Sequence, residues 1–209
     1  MRIHARWRRF IDQQHRYPTG LIGCGIGERM VRQHVPETQW SIDLLDLRPG
    51  DRVLELGCGA GRGLLLASAR ASAGHVVGLD LSATMLRSAA RRNDAARRAG
   101  HVDLIRADLT ALPVATQRVA KIVSIHTLYF WPDPLAVFAD LTRVLAPGGA
   151  VVITFATAET QPSGERVVWP LQARAEELVA QLQQRGCTVD LAHGPDSRQY
   201  NNVAIVLRS

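Results

Sequence analysis

A chain of 209 residues, 46% of them hydrophobic, can build one α/β domain with a complete core and a small appendage. No apolar stretch reaches the roughly 18 residues that span a bilayer. The basic start (Arg2, Arg6, Arg8, Arg9) has no apolar run behind it, so neither a membrane span nor a secretory leader is expected. The net charge of +6 raises nucleic acid as a partner, but only Lys121 of the 25 basic residues is lysine, and no aromatic residues interleave with the arginines as a nucleic-acid platform requires.

The first 47 residues stand apart from the rest. Ile3, Trp7, Phe10 and Ile11 recur at helical spacing with arginines opposite, which predicts an amphipathic helix. Residues 17–27 read as a glycine-punctuated loop, and residues 28–47 as two short helices. Such an arm, residues 1–47, is suited to closing over a pocket, or to packing on the sheet edge; both readings stand. Residues 48–209 alternate strand and helix: strand 52–57, helix 61–72, strand 75–81, then helix 83–99 between a Ser82 N-cap and a Gly100 stop. Arg87, Arg91, Arg92, Arg97 and Arg98 fall along this helix as a solvated face. Strands 102–107 and 120–128 follow, and Asp133-Pro134 opens a helix to residue 145. After the Pro147-Gly148-Gly149 break come strand 150–157, helix 169–185, and strands 188–192 and 203–208. Several strands are apolar on both faces. The expected fold class is α/β, a doubly wound, mostly parallel seven-stranded sheet carrying an N-terminal helical arm.

Residues 53–63, Val-Leu-Glu-Leu-Gly-Cys-Gly-Ala-Gly-Arg-Gly, are the most informative stretch. An apolar strand stops in glycines 57, 59, 61 and 63, which lets the backbone approach a ligand closely. The helix that follows would offer its free N–H groups to the same ligand. Glu55 is a carboxylate inside that strand, and burying it calls for a donor-rich or cationic partner. The dinucleotide fingerprint G-x-G-x-x-G does not fit: its last position falls on Arg62, Leu64 or Leu66 when counted from Gly57, Gly59 or Gly61.

In a parallel sheet the ligand lies beyond the C-terminal strand ends. The second strand ends at Asp80, 19 residues after Gly61, where a carboxylate can accept both hydroxyls of a ribose. The third ends at Asp108-Leu109, where a carboxylate can accept from an adenine amino group. Each acid alone is compatible with a loop or turn role; their weight lies in following one another at successive strand ends.

The Glu-x-Gly-x-Gly-x-Gly loop, with Leu-Asp-Leu-Ser-Ala-Thr-Met-Leu (79–86), Ala-Asp-Leu-Thr-Ala-Leu-Pro (107–113) and Leu-Thr-Arg-Val-Leu-Ala-Pro-Gly-Gly (141–149), resembles the ordered motifs of class I S-adenosylmethionine-dependent methyltransferases. The likeness covers residues 51–157 and is closest to the small-molecule enzymes of quinone biosynthesis. It implies S-adenosyl-L-methionine as cofactor, the loop residues Gly57, Cys58, Gly59 and Gly61 round its methionine part, and Glu55 near the ammonium. It also implies Asp80 on the ribose, Asp108 and Leu109 on the adenine, and Leu81 and Met85 against the nucleoside.

The fourth strand runs into His126-Thr127-Leu128-Tyr129-Phe130-Trp131, which the resemblance places beneath the methyl donor. His126 is a candidate general base, or else a cofactor contact. Tyr17, Tyr129 and Trp131 are candidate acceptor-site residues, with core packing the alternative for Tyr129 and Trp131. The Asn/Asp-Pro-Pro-Tyr motif of base-methylating relatives is missing here, which speaks against nucleic acid. Cys24, Cys58 and Cys187 are spread without C-x-x-C spacing, so neither a disulfide framework nor a zinc site is indicated, and no metal is expected. The expectation is a cytoplasmic enzyme that transfers a methyl group by in-line displacement to a small-molecule O, N, C or S nucleophile, with a homodimer among the allowed assemblies. The rival readings are a related fold that binds the cofactor without methylating (a cyclisation catalyst or binding subunit), an RNA or protein methyltransferase, and a nicotinamide enzyme.

Overall fold

The computed structural model describes residues 13–14, 16–109, 111–160, 163–195 and 200–209. The amphipathic segment carrying Ile3, Trp7, Phe10 and Ile11 lies outside the described residues. Two helices, α1 (Gly20–Gln33) and α2 (Val35–Leu44), precede the alternating part. That part runs β1 (Arg52–Leu56), α3 (Arg62–Arg70), β2 (His75–Asp80), α4 (Ala83–Arg92), α5 (Asp94–Arg98), β3 (Val102–Arg106) and β4 (Val119–Ile125). It continues with α6 (Pro134–Val144), β5 (Leu145–Thr160), β6 (Arg166–Val168), α7 (Leu171–Gln184), β7 (Thr188–His193) and β8 (Tyr200–Arg208).

The strand order is β3-β2-β1-β4-β5-β8-β7, with β8 antiparallel to both its neighbours and the first five strands parallel. This is the expected doubly wound, mostly parallel sheet. An eighth, short strand, β6, pairs antiparallel with the end of β5, because β5 runs on to Thr160, past its last pair with β4 at Thr154. The order reverses between β1 and β4, so the crevice beyond the ends of these two strands is where this architecture places a ligand.

Period-2 alternation sends successive β1 residues to opposite faces. Leu54 and Leu56 join a core with Phe138, Leu141, Phe155 and the apolar face of α7. Val53 joins Ile42, Leu64, Ala67 and Ala89 on the other face. Glu55 therefore falls on the α3 face, at the open end of the strand.

Four sequence expectations are corrected. The 17–27 segment is not a loop beyond its first residues, since α1 begins at Gly20. Its glycines make room: a Cβ at Gly23 would run into Pro18 and Gln14, and one at Gly27 into the Met85 side chain at 2.5 Å. The described helices of the arm lie not on a sheet edge but on a face: α1 packs on α4, and α2 packs on α3 and against β4, β5 and β8. The single helix foreseen over 83–99 is broken at Asn93, whose buried amide donates back to the Ala89 carbonyl and across to that of Gly61. The break braces the glycine loop from behind. The arginine row is likewise only partly solvated. Arg92 donates to the Ala60 carbonyl of that loop and pairs with Glu28 of α1 at 2.5 Å, while Arg91 bonds Ser88.

Candidate functional site

The loop after β1 takes the shape its glycines allow. Gly57, Gly59 and Gly61 have φ of +64°, +51° and +81°, all in the left-handed region that costs other residues most. Gly57 also lies against Thr127, which leaves no room for a Cβ. Gly61 is the N-cap of α3. A Cβ on Gly59 would meet nothing within 4 Å, so there the backbone borders open space. Gly63 serves differently: it is the seat of the Glu55 carboxylate, and any side chain there would run into it.

That open space is a cavity of about 850 Å³. Of the residues singled out in the sequence, Glu55, Gly57, Cys58, Gly59, Asp80, Leu81, Met85, Asp108, Leu109, His126, Tyr17, Tyr129 and Trp131 all line it. Gly61 does not; it shapes the loop from the rear, beside Ala89 and Asn93. The arm closes one side through Tyr17, Pro18, Gly27, Met30, His34 and Thr38.

The acids differ in their electrostatics. Glu55 is 4% exposed. Burial pushes its pKa from 4.5 to about 8, the Leu64 N–H opposes this, and the Asp80 charge adds to it. Its Oε2 has no hydrogen-bond partner. Asp80 accepts from the N–H of Gly59 at 2.9 Å and of Ser82 at 2.7 Å, so it fixes both the glycine loop and the start of α4. Burial raises its pKa, and these two N–H groups oppose the rise. Cys58 is buried, and that burial holds its thiol well above the ordinary range, which excludes a ready thiolate.

Beyond β4, His126 has φ +57° in a non-glycine residue, a strained conformation fixed by its N–H bond to the Thr154 carbonyl at 2.8 Å. Its Nδ1 faces Tyr129 Oη at 3.2 Å, and that oxygen accepts from the Ala156 N–H at 2.6 Å. Its Nε2 faces Glu37 Oε1 at 3.5 Å, beyond a good hydrogen bond. Burial lowers the imidazole pKa, with the Glu37 carboxylate opposing. Glu37 is fully buried in the first turn of α2. Burial would raise it, but His126, His34 and its own backbone N–H together hold it at about 2. His34 Nδ1 lies 2.6 Å from Glu37 Oε1. Sequence reasoning missed His34 and Glu37; their spacing on one helical face was the available signal, but their partner His126 is reached only through the fold.

A second cavity of about 260 Å³ opens on the far side of the two imidazoles, walled by Met30, Tyr129, Phe130, Ala156, Trp169 and Tyr200. Trp169 stands edge-on to Tyr129 at 6.1 Å. Trp131 is chiefly core: it is 7% exposed and packs edge-on against Phe138 at 5.9 Å.

A glycine loop at the switch of a doubly wound sheet, followed by acids at the next two strand ends, defines a nucleoside-cofactor enzyme of the open α/β class. The comparisons with known proteins sharpen the class. Residues 53–149 match the family model described as "Methyltransferase domain". The chain is 31% identical over 140 residues to the uncharacterized methyltransferase YdaC of Bacillus subtilis, covering 67% of this chain and 75% of that protein. It is 38% identical over 109 residues to the arsenite methyltransferase of Halobacterium salinarum, covering 52% of this chain and only 28% of that protein. A crystal structure of a S-adenosylmethionine-dependent methyltransferase from Aquifex aeolicus superposes with a TM-score of 0.68 at 18% identity, covering 88% of this chain and 98% of that one. The chain belongs to the class I S-adenosylmethionine-dependent methyltransferases; it is an enzyme, and its cofactor is S-adenosylmethionine. Among the described residues no helix is long and apolar enough to cross a membrane.

Proposed function

We propose that this enzyme methylates a small, partly apolar acceptor bound in the aromatic cavity beside the cofactor space. The carrying observation is the convergence of the ends of β1, β2, β3 and β4 on one cavity, with the acceptor-sized aromatic cavity adjoining it across His34 and His126. The residues fit the cofactor. A cavity of about 850 Å³ has the capacity, Glu55 Oε2 is a buried acceptor without a partner, and the backbone at Gly59 leaves the approach open. Glu55 would take the ammonium end, Asp80 the ribose hydroxyls, and Asp108 with the Leu109 backbone the adenine, while Leu81 and Met85 cover the nucleoside. S-adenosylmethionine, when bound, supplies an electrophilic methyl group on a sulfonium.

The chain's own part is alignment and exclusion of water, worth roughly 7–11 kcal/mol when reactants are held in position. Tyr17 caps the cavity mouth: its hydroxyl donates to the Leu81 carbonyl at 3.2 Å and accepts from Arg106 at 3.1 Å. The arm, residues 1–47, acts as a lid, tied down through the Glu28–Arg92 pair. His126, held largely neutral by burial, is the group able to take a proton from a hydroxyl, thiol or ammonium acceptor. Relatives methylate acceptors as unlike as arsenite and phosphoethanolamine, and the motif likeness to quinone-biosynthesis enzymes favours an aromatic ring or phenol. A panel of phenols, enols, amines and thiols, incubated with enzyme and S-adenosylmethionine, should yield S-adenosylhomocysteine with at least one small aromatic acceptor. Cofactor binding without product release across the panel would favour the non-methylating reading instead.

A further inference from the structure

We propose that His34, Glu37 and His126 bind one divalent first-row transition ion, of the zinc or iron class, whose remaining coordination positions hold the oxygen or sulfur of the acceptor. The acceptor half of this statement rests on the methyl-transfer reading above. Each residue offers one ligand atom, and the three atoms lie within 4.8 Å of one another. Two imidazole nitrogens and one carboxylate oxygen suit zinc and iron, whereas magnesium and calcium favour oxygen shells.

A hydrogen-bonded trio alone leaves the cluster unsatisfied. Glu37 is 0% exposed, and His34 engages its Oε1 only. Its Oε2 and His126 Nε2 are both buried without a partner. Each such orphan is a net cost to the folded state. One cation held by His126 Nε2 and by both oxygens of Glu37 would satisfy both. The spacing also suits an ion. Ligands at about 2.1 Å in tetrahedral array stand about 3.4 Å apart. Glu37 Oε1 and His126 Nε2 are 3.5 Å apart already; His34 Nδ1, now hydrogen-bonded to Oε1 at 2.6 Å, has to draw back by about 0.8 Å, and all three donor atoms lie within 4.8 Å of one another.

The supports are those of a built site. A metal-bound imidazole commonly engages its other ring nitrogen, and His126 Nδ1 is engaged by Tyr129, itself anchored on the Ala156 N–H. Glu37 sits in the first turn of α2, and α2 is pinned to the sheet by the Ser41–Thr154 hydroxyl pair at 2.6 Å and by fully buried Ile42. Both histidines line the large cavity and the aromatic one, so an ion held by them would sit in the wall between the donor and acceptor spaces. With its Nε2 on the ion and its Nδ1 on Tyr129, His126 no longer serves as the base considered above; an acceptor hydroxyl or thiol bound there would instead lose its proton to solvent more readily, keeping the lone pair for the new bond to carbon.

The test uses the full chain, stripped with a chelator. It is titrated with Zn²⁺ by calorimetry and with Co²⁺ by visible absorption, and S-adenosylhomocysteine binding is measured on the same samples. One ion per chain is expected, with d–d bands and no thiolate charge transfer. Glu37→Gln and His34→Gln, each checked for native circular dichroism, should each weaken Zn²⁺ at least about 10-fold. Absent binding, binding indifferent to both substitutions, or cobalt–thiolate bands pointing to a cysteine would each overturn the proposal. If S-adenosylhomocysteine still binds when the ion does not, the metal site alone fails; if the product fails to bind as well, the cofactor-site assignment fails with it.

Discussion

Replacing Glu55 by glutamine should stabilise the cofactor-free protein and weaken its hold on S-adenosylmethionine, and the first effect should grow with pH. Glu55 is 4% exposed, and burial lifts its pKa from 4.5 to about 8. A carboxyl raised in the fold leaves stability intact below the unfolded value and removes it as pH climbs to the folded one, because over that window the unfolded chain ionises and the native one does not. Between 4.5 and pH 7 the loss is about 3 kcal/mol, at ~1.4 kcal/mol per pH unit. Glutamine does not titrate and escapes the loss. In a chain of this size about 3 kcal/mol corresponds to roughly 6–12 °C in Tm. Thermal unfolding at pH 5, 7 and 8 should show the variant's advantage small at the first (about 1 kcal/mol), large at the second and largest at the third. Binding the cofactor's ammonium requires the ionised carboxylate, so the wild type should release close to one proton from this site on binding at pH 7. That release is read from the dependence of calorimetric heat on buffer ionisation enthalpy, and Glu55→Gln should abolish this part of it. A Tm difference independent of pH would show that Glu55 is not held neutral, and the argument from burial would fall.

The other consequences are more local. Asp80→Asn keeps the size of the side chain but gives up the charge that accepts from Gly59 and Ser82, so cofactor affinity should fall about 10- to 100-fold by calorimetry; unchanged affinity would mean the strand ends are misassigned. Gly63→Ala places a methyl on the Glu55 carboxylate and should cost about 1–3 kcal/mol in chemical unfolding, with cofactor binding reduced, whereas Gly59→Ala, with nothing within 4 Å, should lose affinity chiefly through backbone strain. Trp169→Ala removes one wall of the aromatic cavity and should raise acceptor KM about five- to ten-fold while the cofactor Kd stays put; a matched rise in both would place Trp169 outside the acceptor site.

The strand-and-helix alternation and the cofactor loop were legible because their physical demands leave marks on composition. Positive φ at Gly57, Gly59 and Gly61 and close contact at Gly63 both demand glycine, and a buried parallel strand demands an apolar run. The arm misled for the same reason. Gly20, Gly23, Gly25 and Gly27 read as loop by propensity, yet two of them exist so that a helix can lie against Pro18 and Met85. Tertiary contact overrode local preference there, as it did at Asn93, where a buried amide serving Gly61 ends a helix that the sequence alone would continue.

Two buried glutamates show where sequence reading stops. Glu55 and Glu37 are 4% and 0% exposed, and burial pushes the pKa of both upward. Yet Glu55 comes to rest at about 8 and Glu37 at about 2. The difference lies in what the fold brings to each. Glu55 has one N–H donor and an anionic neighbour in Asp80, so it stays protonated until a cation arrives from outside. Glu37 has two imidazoles, one of them 89 residues further along the chain at the end of β4, and it is ionised already. A strand that places its odd carboxylate toward a glycine advertises the first environment. The second is assembled from a helix start and a distant strand end. Its chemistry, a charged carboxylate between two neutral-capable nitrogens at the boundary of donor and acceptor cavities, exists only once α2 has docked across β4 and β5.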